Sequence, residues 1–273
     1  MAAPVRVVVA GAGGRMGQAL VEAVLRDPGC TLAGALDVAG SPELGRDPGE
    51  RTGQPTGVVV TSDVAAALAG ADVLIDFTRP AGTLVHLDAC ARAGVAAVVG
   101  TTGLNDAERA ALAQFATRIP VMFAANMSVG VNVMLALVET AARTLGPDFD
   151  IEIVEMHHRQ KVDAPSGTAL RLGEAAAAGR GVPLPDVAVL SREGMTGERK
   201  AGTIGFATLR GGDVVGEHTV VYAGTGERIE IGHRATSRQN FAAGALRAVH
   251  FVAARRTVGQ TGLVDMRDVL RLR

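Results

Sequence analysis

The feature that most constrains the fold is a glycine-rich turn close to the amino terminus. Val5–Ala10 is a run of strand length that is apolar except for Arg6, and Gly11-Ala12-Gly13-Gly14-Arg15-Met16-Gly17 follows it at once. A helical pattern rich in Ala, Leu and Val then extends to about Arg26. A strand, a glycine turn and a helix in this order bring backbone amides close to a pyrophosphate at a helix start. The strict G-x-G-x-x-G spacing fails, because its third glycine position is occupied by Met16.

An acidic residue strengthens this interpretation. The second predicted strand, Thr31–Leu36, ends in Asp37, twenty residues after Gly17, where such turns are followed by an acid that binds the adenosine ribose. We therefore predict a dinucleotide site, although glycines also serve tight turns for conformational reasons alone. A carboxylate at 37 repels a 2'-phosphate, and the next residue is Val38 rather than a cation, so NADH is expected at least to compete with NADPH. Arg46 or Arg79 remains a candidate cation from elsewhere.

Helical and strand patterns alternate after a loop over residues 38–60. The helices are predicted at Asp63–Leu68, Ala81–Ala93 and Asp106–Thr117, and the strands at Val73–Phe77, Val95–Val99 and Val121–Phe123. This alternation predicts an α/β fold with a Rossmann-type, doubly wound parallel sheet. Three segments follow strands at the carboxyl edge where ligands bind, although each is also a plausible simple turn: Phe77-Thr78-Arg79-Pro80, Gly100-Thr101-Thr102-Gly103 and Ala124-Ala125-Asn126-Met127-Ser128. His86 is expected on the surface.

Composition excludes several functional classes. The 273 residues suffice for about two domains, and a net charge of −1 offers no basic surface for nucleic acid. There is no run of about 18 apolar residues and no charged leader, so neither a membrane span nor a signal peptide is predicted, and a cytoplasmic protein is expected. Cys30 and Cys90 are expected to be inert packing residues.

A second domain is predicted to begin near Ser128, where the alternation stops. An apolar helix at Val131–Leu145 and a loop over 179–202 are followed by strands at Thr203–Arg210, Val214–Tyr222 and Arg228–His233. Because the connections between these strands are short, we expect an α+β domain with a mostly antiparallel sheet, whose open face favours a homo-oligomer. Helical patterns at Phe241–Ala254 and Leu263–Leu270 are expected to return to the first domain. The predicted domains are 1–128 with 239–273, and 129–238.

The segment from 150 to 170 carries the candidate chemistry. A strand ending near Met156 delivers His157 and His158, Lys161 follows, and Ser166 is predicted to cap a helix whose first amides, at Gly167 and Thr168, are unpaired and suited to an anion. Singly, a histidine is more often a packing residue and a lysine a solvated one; their clustering beside a helix start favours a catalytic site. Adjacent histidines on a strand diverge, so no metal site is predicted.

The chain as a whole resembles the 4-hydroxy-tetrahydrodipicolinate reductase (dihydrodipicolinate reductase) family. The segments that carry the resemblance are residues 11–17, Asp76–Pro80, Gly100–Gly103, Ala124–Asn132 and Glu155–Thr168, in order over nearly the full length. It implies an NADH- and/or NADPH-dependent oxidoreductase of the diaminopimelate route to lysine, which reduces a small dicarboxylate ring with loss of water. It also implies a homotetramer assembled through the second domain.

The resemblance assigns roles to matching residues. It implies that His157 is the acid/base and Lys161 the proton donor, and that His158, Gly167 and Thr168 contact the substrate, to which the local pattern adds Lys161 and Ser166. The implied cofactor contacts are Gly11, Ala12, Gly13, Gly14, Arg15, Met16, Asp37, Gly100, Thr101, Thr102, Ala124, Ala125, Asn126 and Met127. Val38, where some members of the family carry arginine, and Phe77 and Arg79 are further candidates because of their positions after predicted strands. Closure about a hinge near Ser128 is expected to bring nicotinamide and ring together.

Two rival functions remain open at this point. A dehydrogenase that acts through a thiohemiacetal needs a cysteine in the second domain, whereas both cysteines fall in the first. A redox-sensing regulator that binds NAD without turnover has no need of the histidine pair and lysine. An absorbance assay at 340 nm with the pathway intermediate separates such a regulator from an enzyme.

Overall fold

The computed structural model describes residues 3–272 of the chain. They form two compact units, one comprising the residues up to Val129 together with Arg238–Arg271, and the other comprising Gly130–Ser237. The boundaries predicted from the sequence fall one residue away, after Ser128 and after Arg238.

The first unit is built on seven strands: β1 (Val5–Ala10), β2 (Cys30–Leu36), β3 (Val60–Thr61), β4 (Val73–Asp76), β5 (Ala96–Val99), β6 (Pro120–Phe123) and β12 (Gly262–Val264). All are parallel, in the order β12-β6-β5-β4-β1-β2-β3. Its helices are α1 (Arg15–Arg26), α2 (Val64–Leu68), α3 (Pro80–Ala93), α4 (Asp106–Ala116), α8 (Gln239–Thr257) and α9 (Met266–Leu270). A 3-10 turn, Glu50–Thr52, lies in the loop after β2.

The apolar runs of these strands are explained by burial on both faces of the sheet. Val7 and Val9 pack in one core with side chains of α1 and α8, whereas Val8 and Ala10 pack in a second core with side chains of α2, α3 and α4. A strand covered on both faces has no solvent side, so it reads as a continuous apolar run rather than an alternating one. The predicted doubly wound parallel sheet is confirmed. Its order reverses between β1 and β4, which places a ligand crevice at their carboxyl ends.

The second unit contains strands β7 (Asp150–His157), β8 (Ala188–Val189), β9 (Ile204–Arg210), β10 (Gly216–Ala223) and β11 (Arg228–Ala235). Its helices are α5 (Val129–Leu145), whose first residue belongs to the first unit, α6 (Gly167–Arg180) and α7 (Leu184–Val187), and a 3-10 turn follows α5 at Gly146–Asp148. The sheet has the order β11-β10-β7-β9-β8. Strand β10 is antiparallel to β7 and β11, while β9 is parallel to β7 and β8, so the α+β unit contains a mixed sheet.

One predicted strand pairing is wrong. Strands β9 and β10 are consecutive and joined by a short glycine-rich link, but they do not pair, because β7 lies between them. The link passes over the end of β7: the amide of Gly211 donates to the carbonyl of His157, and the amide of His158 donates to the carbonyl of Val214. A link of five residues easily spans the roughly 10 Å between strands two places apart. The link between β9 and β10 therefore lies directly beside His157 and His158.

Three smaller predictions also require correction. Leu263 belongs to the edge strand β12, paired with β6, rather than to the last helix, which begins after the cap at Asp265. The predicted loop over 179–202 contains α7 and β8. His86 is not a surface residue: its side chain is only 15% exposed, and its Nδ1 lies 2.8 Å from the buried carboxylate of Asp76.

Helix α5 and the turn that follows it, Val129–Asp148, are long and apolar enough to cross a membrane by length and composition, with a mean hydropathy of 1.2. The core helix of a soluble protein satisfies the same criterion. Here Val131, Met134, Leu135, Val138 and Ala142 pack in the core of the second unit with side chains of β7 and α6, so the apolar content of α5 is accounted for by packing.

Candidate functional site

In the glycine turn of the first unit, the backbone of the turn packs closely against the start of α1. Gly11 has φ +68°, a left-handed conformation that favours glycine, and its carbonyl accepts a hydrogen bond from the Gly14 amide at 3.0 Å. A Cβ atom on Gly17 would lie 2.0 Å from the carbonyl oxygen of Gly11. Helix α1 can therefore pack against the turn only with glycine at 17, the role of the third glycine in a dinucleotide fold.

A cavity of about 530 Å³ opens beside this turn, within the first unit. Its predicted lining residues are Gly11, Gly14, Arg15, Met16, Phe77, Gly100, Thr101, Thr102, Ala125, Asn126 and Met127. Ala12, Gly13, Asp37, Val38, Arg79 and Ala124 do not line it. Four residues that were not predicted also line the cavity: Gly17, Thr78, Arg238 and Phe241, of which the last two come from the distant start of α8. Because the cavity lies at the carboxyl ends of β1, β4, β5 and β6 beside a helix start, its residues fit a nicotinamide dinucleotide.

The acidic residue after β2 sits directly on the glycine turn. Asp37 accepts the amide of Gly13 at 2.9 Å through Oδ2 and the amide of Val38 at 2.8 Å through Oδ1. A Cβ atom on Gly13 would lie 2.5 Å from Asp37 Oδ2 and 2.6 Å from Cγ of Glu43. Two acidic side chains thus converge on this end of the turn, while Val38 is 73% exposed.

A buried network supports the loop after β4. The Asp76 carboxylate accepts hydrogen bonds from the amide and hydroxyl of Thr78, at 2.8 and 2.6 Å, and it contacts His86. Burial raises the pKa of Asp76, but the hydrogen bonds from His86 and Thr78 outweigh it and hold the pKa below its usual value. The loop that carries Phe77 into the cavity is therefore fixed by an ionised carboxylate beneath it.

In the second unit, the ionisable side chains Glu155 and His157 lie on the buried face of β7. Ile151, Ile153, Glu155 and His157 alternate along the strand and are buried, while the residues between them point to the more exposed face. Strand β7 ends at His157, so His158 lies just after it rather than on the opposite face of a continuing strand. Among the described residues, the Nδ1 atom of His158 is buried without a hydrogen-bond partner.

His157 is enclosed by charged and aromatic neighbours. Its Nδ1 lies 2.5 Å from Oε2 of Glu155, and its ring packs edge-on against the ring of His218, with centroids 5.1 Å apart. Burial lowers the pKa of His157, and Glu155 offsets this only in part, while Lys161 and Arg210 lower it further. The imidazole is consequently neutral near pH 7.

The start of α6 has the predicted cap. Ser166 is the N-cap, and its hydroxyl accepts the amide of Ala169 at 3.1 Å. The Gly167 amide, which was expected to be open to an anion, interacts with the carboxylate of Asp163 and helps to lower its pKa. The same carboxylate lies 2.8 Å from the ammonium of Lys161. The ion pair with Lys161, followed by these amide contacts, lowers the pKa of Asp163.

Three further residues of this cluster escaped the sequence analysis. Glu155, Arg210 and His218 come together through the sheet register, which pairs Glu155 with His218 on β10 and His157 with Arg210 on β9. The one local signal was a charged residue at an inward position, since Glu155 shares the face of Ile151 and Ile153. His218 is 4% exposed, and burial, followed by repulsion from His157, lowers its pKa to about 4.

The cysteines lie outside these clusters. Cys30 and Cys90 are free and buried, and burial raises the pKa of each thiol to about 12. Within the described residues, Asp27, Cys30 and His250 place metal-ligating atoms within 4.8 Å of one another. In this group His250 Nε2 lies 2.8 Å from Asp27 Oδ2, so these two side chains bind each other directly.

Comparison with known proteins matches the chain over nearly its whole length. Profiles described as "Dihydrodipicolinate reductase, N-terminus" and "Dihydrodipicolinate reductase, C-terminus" match residues 5–127 and 130–270. The chain is 58% identical over 268 residues to the 4-hydroxy-tetrahydrodipicolinate reductase of Dechloromonas aromatica (strain RCB), covering 98% of each chain. It is likewise 58% identical over 267 residues to that of Nitrosospira multiformis, with 98% of each chain covered.

A solved structure agrees with these sequence matches. The dipicolinate-bound dihydrodipicolinate reductase from Paenisporosarcina sp. TG-14 is similar with a TM-score of 0.75 and 26% sequence identity. The similarity covers 96% of this chain and 97% of that one.

Proposed function

Since the chain belongs to the dihydrodipicolinate reductase family, we propose that His157, Lys161 and the start of α6 form its substrate site and that the cavity at the glycine turn binds its cofactor. The chain is an oxidoreductase of the diaminopimelate route to lysine, and it reduces 4-hydroxy-tetrahydrodipicolinate to tetrahydrodipicolinate with NAD(P)H and loss of water. Its cofactor is a nicotinamide dinucleotide.

The observation that carries the proposed substrate site is the position of the Asp163 carboxylate. It lies 2.8 Å from the Lys161 ammonium, and its pKa is lowered in part by the amide of Gly167 at the start of α6. The protein thus already holds a carboxylate of its own where an ammonium and a helix N-terminus favour negative charge. We propose that a ring carboxylate of the substrate replaces Asp163 there, with contacts from Ser166, Gly167 and Thr168 and with His158 steering the rest of the ring.

The reaction also requires a proton. Loss of water leaves a conjugated imine, and the ring carbon that carried the hydroxyl would receive a hydride from reduced nicotinamide when this cofactor is bound. Electron density then moves along the conjugated system to the neighbouring carbon, which takes up a proton. Lys161 is proposed to give this proton. His157, which is neutral near pH 7, is suited to accept or relay a proton rather than to supply the first one.

The amino-acid usage of the chain supports this role for Lys161. The 27 basic residues include only two lysines, Lys161 and Lys200, and all the others are arginines. An arginine in a protein keeps its proton, whereas a lysine can release one. A lysine at 161 in an arginine-rich chain is therefore expected where proton transfer, and not charge alone, is needed.

Two substitutions of Lys161 test the proposal. Lys161→Arg keeps the charge but removes the proton donor, so kcat is expected to fall by about 10²- to 10⁴-fold. Binding of pyridine-2,6-dicarboxylate should be weakened less in this variant than in Lys161→Ala, which loses charge and donor together. The Kd for NADH should stay within about twofold in both variants.

The other lysine provides the matched control. Lys200 is exposed, and Lys200→Ala should retain the wild-type kcat in the 340 nm assay. A wild-type kcat in Lys161→Arg would remove the lysine from the chemistry, and a large change in the Kd for NADH would place it in the cofactor site instead.

For the cofactor, we propose that NADH at least competes with NADPH. The support is the convergence of Asp37 and Glu43 on the glycine turn, together with Val38 where a cation would be needed to bind a 2'-phosphate. Steady-state kcat/KM values for the two cofactors test this directly. A preference for NADPH of more than about tenfold would contradict it.

We further propose a cytoplasmic homotetramer assembled through the open face of the second sheet. This face carries Val154, Ala207, Leu209 and Val221, of which Val154 is 37% and Leu209 44% exposed. Apolar side chains on an open sheet face are best covered by a second copy of the chain. Light scattering after gel filtration should give four times the 27.9 kDa chain mass, and Leu209→Glu should give a smaller species.

A further inference from the structure

Glu155 is the most completely enclosed acidic side chain of the second sheet. It is 1% exposed, and its Oε2 lies 2.5 Å from His157 Nδ1 and 2.8 Å from Arg210 Nη1. Its Oε1 accepts Arg210 Nη2 at 3.0 Å and the amide of Ser166 at 2.9 Å. A carboxylate buried on an apolar strand face is costly unless each oxygen is satisfied, and here both oxygens accept two donors.

We propose that Glu155 is a positioning residue, which holds His157 with its proton on Nδ1 and its lone pair on Nε2 and which joins this imidazole to the start of α6. The inference rests on the proposed function, because it assigns a task to the group behind His157.

The tautomer follows from the donors and acceptors around the ring. Burial raises the pKa of Glu155, but the hydrogen bonds from Arg210, His157 and the Ser166 amide outweigh it, so the pKa is lowered and the group is a carboxylate. A carboxylate only accepts hydrogen bonds, so His157 Nδ1 must be the donor. In the neutral ring, the lone pair then lies on Nε2.

The backbone of β10 keeps the space beside Nε2 open. A Cβ atom on Gly216 would come within 3.0 Å of His157 Nε2 and 3.3 Å of Cδ2. Glycine at 216 therefore prevents a side chain from pressing on the one ring nitrogen that Glu155 leaves with a lone pair.

Glu155 contacts His157 and Ser166, the residues on either side of the segment 158–165 that carries Lys161. Its Oε1 bonds the amide of Ser166, the residue that caps α6, and its partner Arg210 donates through Nη2 to the carbonyl of Asp163 at 2.6 Å. One side chain thus fixes both the imidazole of His157 and the start of α6, where Asp163 lies. A change in Glu155 should disturb both together.

A second glutamate on the same strand offers a matched control. Glu152 pairs with Arg192 and Arg199 at 2.8 to 2.9 Å, but it lies on the more exposed face of β7 and does not contact His157. Replacing either glutamate with glutamine removes from β7 a carboxylate that is paired with arginine. Only Glu155→Gln removes the partner of the imidazole.

The test compares wild type, Glu155→Gln, Glu155→Asp and Glu152→Gln, with ¹⁵N chemical shifts of the His157 ring as the direct readout. Wild type should show a protonated Nδ1 and an unprotonated Nε2. In Glu155→Gln the Nε2–H form should gain population, and kcat should fall by about 10- to 100-fold, the usual cost of losing such a supporting group. The Kd for NADH should not change, Glu155→Asp should recover part of the loss, and Glu152→Gln should match wild type.

The pH dependence provides an independent readout. The titratable and charged groups facing His157 are Glu155 on its own strand, Lys161, Arg210 on β9 and His218 on β10. Glu155 raises the pKa of His157, whereas burial, Lys161 and Arg210 lower it. Glu155→Gln should therefore shift the titration of the His157 ring to lower pH.

Separate results overturn the two proposals. A wild-type ring with its proton on Nε2 would overturn the inference without any variant, and so would Glu155→Gln with unchanged ring shifts and unchanged kcat. A wild-type kcat in His157→Ala would instead overturn the proposed role of His157, while the ring measurement on the wild-type enzyme would still report whether Glu155 sets the tautomer.

Discussion

Substitution of Gly167 by alanine tests the proposed carboxylate site with little risk to the fold. A Cβ atom at this position meets no other atom within 4 Å, and the backbone does not have the left-handed φ that only glycine tolerates. Gly167 is the first residue of α6, where alanine is a better helix former than glycine. The variant should therefore fold with unchanged or slightly higher thermal stability.

Its effect on ligand binding should be large. The Asp163 carboxylate does not come within 4 Å of a Cβ at this position. A substrate carboxylate, in contrast, brings its ring with it, and we expect the added methyl group to collide with that ring and to lengthen or break the hydrogen bond from the amide. A hydrogen bond to a charged group contributes about 1.5 to 3 kcal/mol. The Kd for pyridine-2,6-dicarboxylate is thus expected to rise by about tenfold to 150-fold, since each 1.4 kcal/mol corresponds to a factor of ten.

Isothermal titration calorimetry measures this Kd directly, and the Kd for NADH, measured alongside, should not change because the glycine turn lies in the other unit. KM for the substrate should rise by a comparable factor. A Gly167→Ala variant that folds normally and binds the dicarboxylate as tightly as wild type would refute the assignment of the substrate carboxylate to this helix start.

Three further predictions address other parts of the structure. His218 has a pKa of about 4 in the folded protein against about 6.5 when unfolded, so the unfolded chain binds more protons between these values and stability is lost as pH falls. Between pH 7 and pH 4.5, His218→Gln should therefore lose about 2 kcal/mol less of its free energy of unfolding than wild type, as measured by urea unfolding. Val38→Arg should raise kcat/KM for NADPH relative to NADH by about tenfold or more, through one charge-assisted bond to the 2'-phosphate; an unchanged ratio would place the adenosine ribose elsewhere. Gly17→Ala, whose Cβ would lie 2.0 Å from the carbonyl oxygen of Gly11, should lower the melting temperature and weaken NADH binding at least tenfold; wild-type values would mean that the turn can shift at no cost.

The sequence predicted those parts of the fold that depend on neighbouring residues. The strand at Val5–Ala10 is apolar from Val7 onwards because both of its faces are covered there. The glycine turn and the cap at Ser166 are each specified by a few adjacent residues. Each of these features is governed by local sterics and hydrogen bonding. The residues predicted to line the cavity could be identified in the same way, because carboxyl ends of parallel strands meet at one edge of a sheet.

Long-range pairing was not readable from the sequence. Strand β7 lies between β9 and β10, and this order brings Arg210 and His218 beside Glu155 and His157 from strands more than fifty residues away. No periodicity within one segment encodes that register. Arg238 and Phe241 reach the cavity for the same reason, since α8 returns to the first unit from the far end of the chain.

The position of Asp163 near the start of α6 could not be predicted from the sequence either. A helix start predicts that an anion is favoured, but only the folded loop reveals that Asp163 supplies one in the unliganded chain. The local pattern thus predicts the kind of site, whereas the position of Asp163 beside it depends on the three-dimensional path of residues 158–166.

A crystal structure of the enzyme with NADH and pyridine-2,6-dicarboxylate tests the central claim most directly. The account predicts one carboxylate of the ligand on the amides of Gly167 and Thr168 and on the Lys161 ammonium, with the Asp163 side chain displaced. It also predicts the NADH pyrophosphate on the glycine turn after β1. A dicarboxylate bound elsewhere, with the Lys161–Asp163 pair intact, would contradict it.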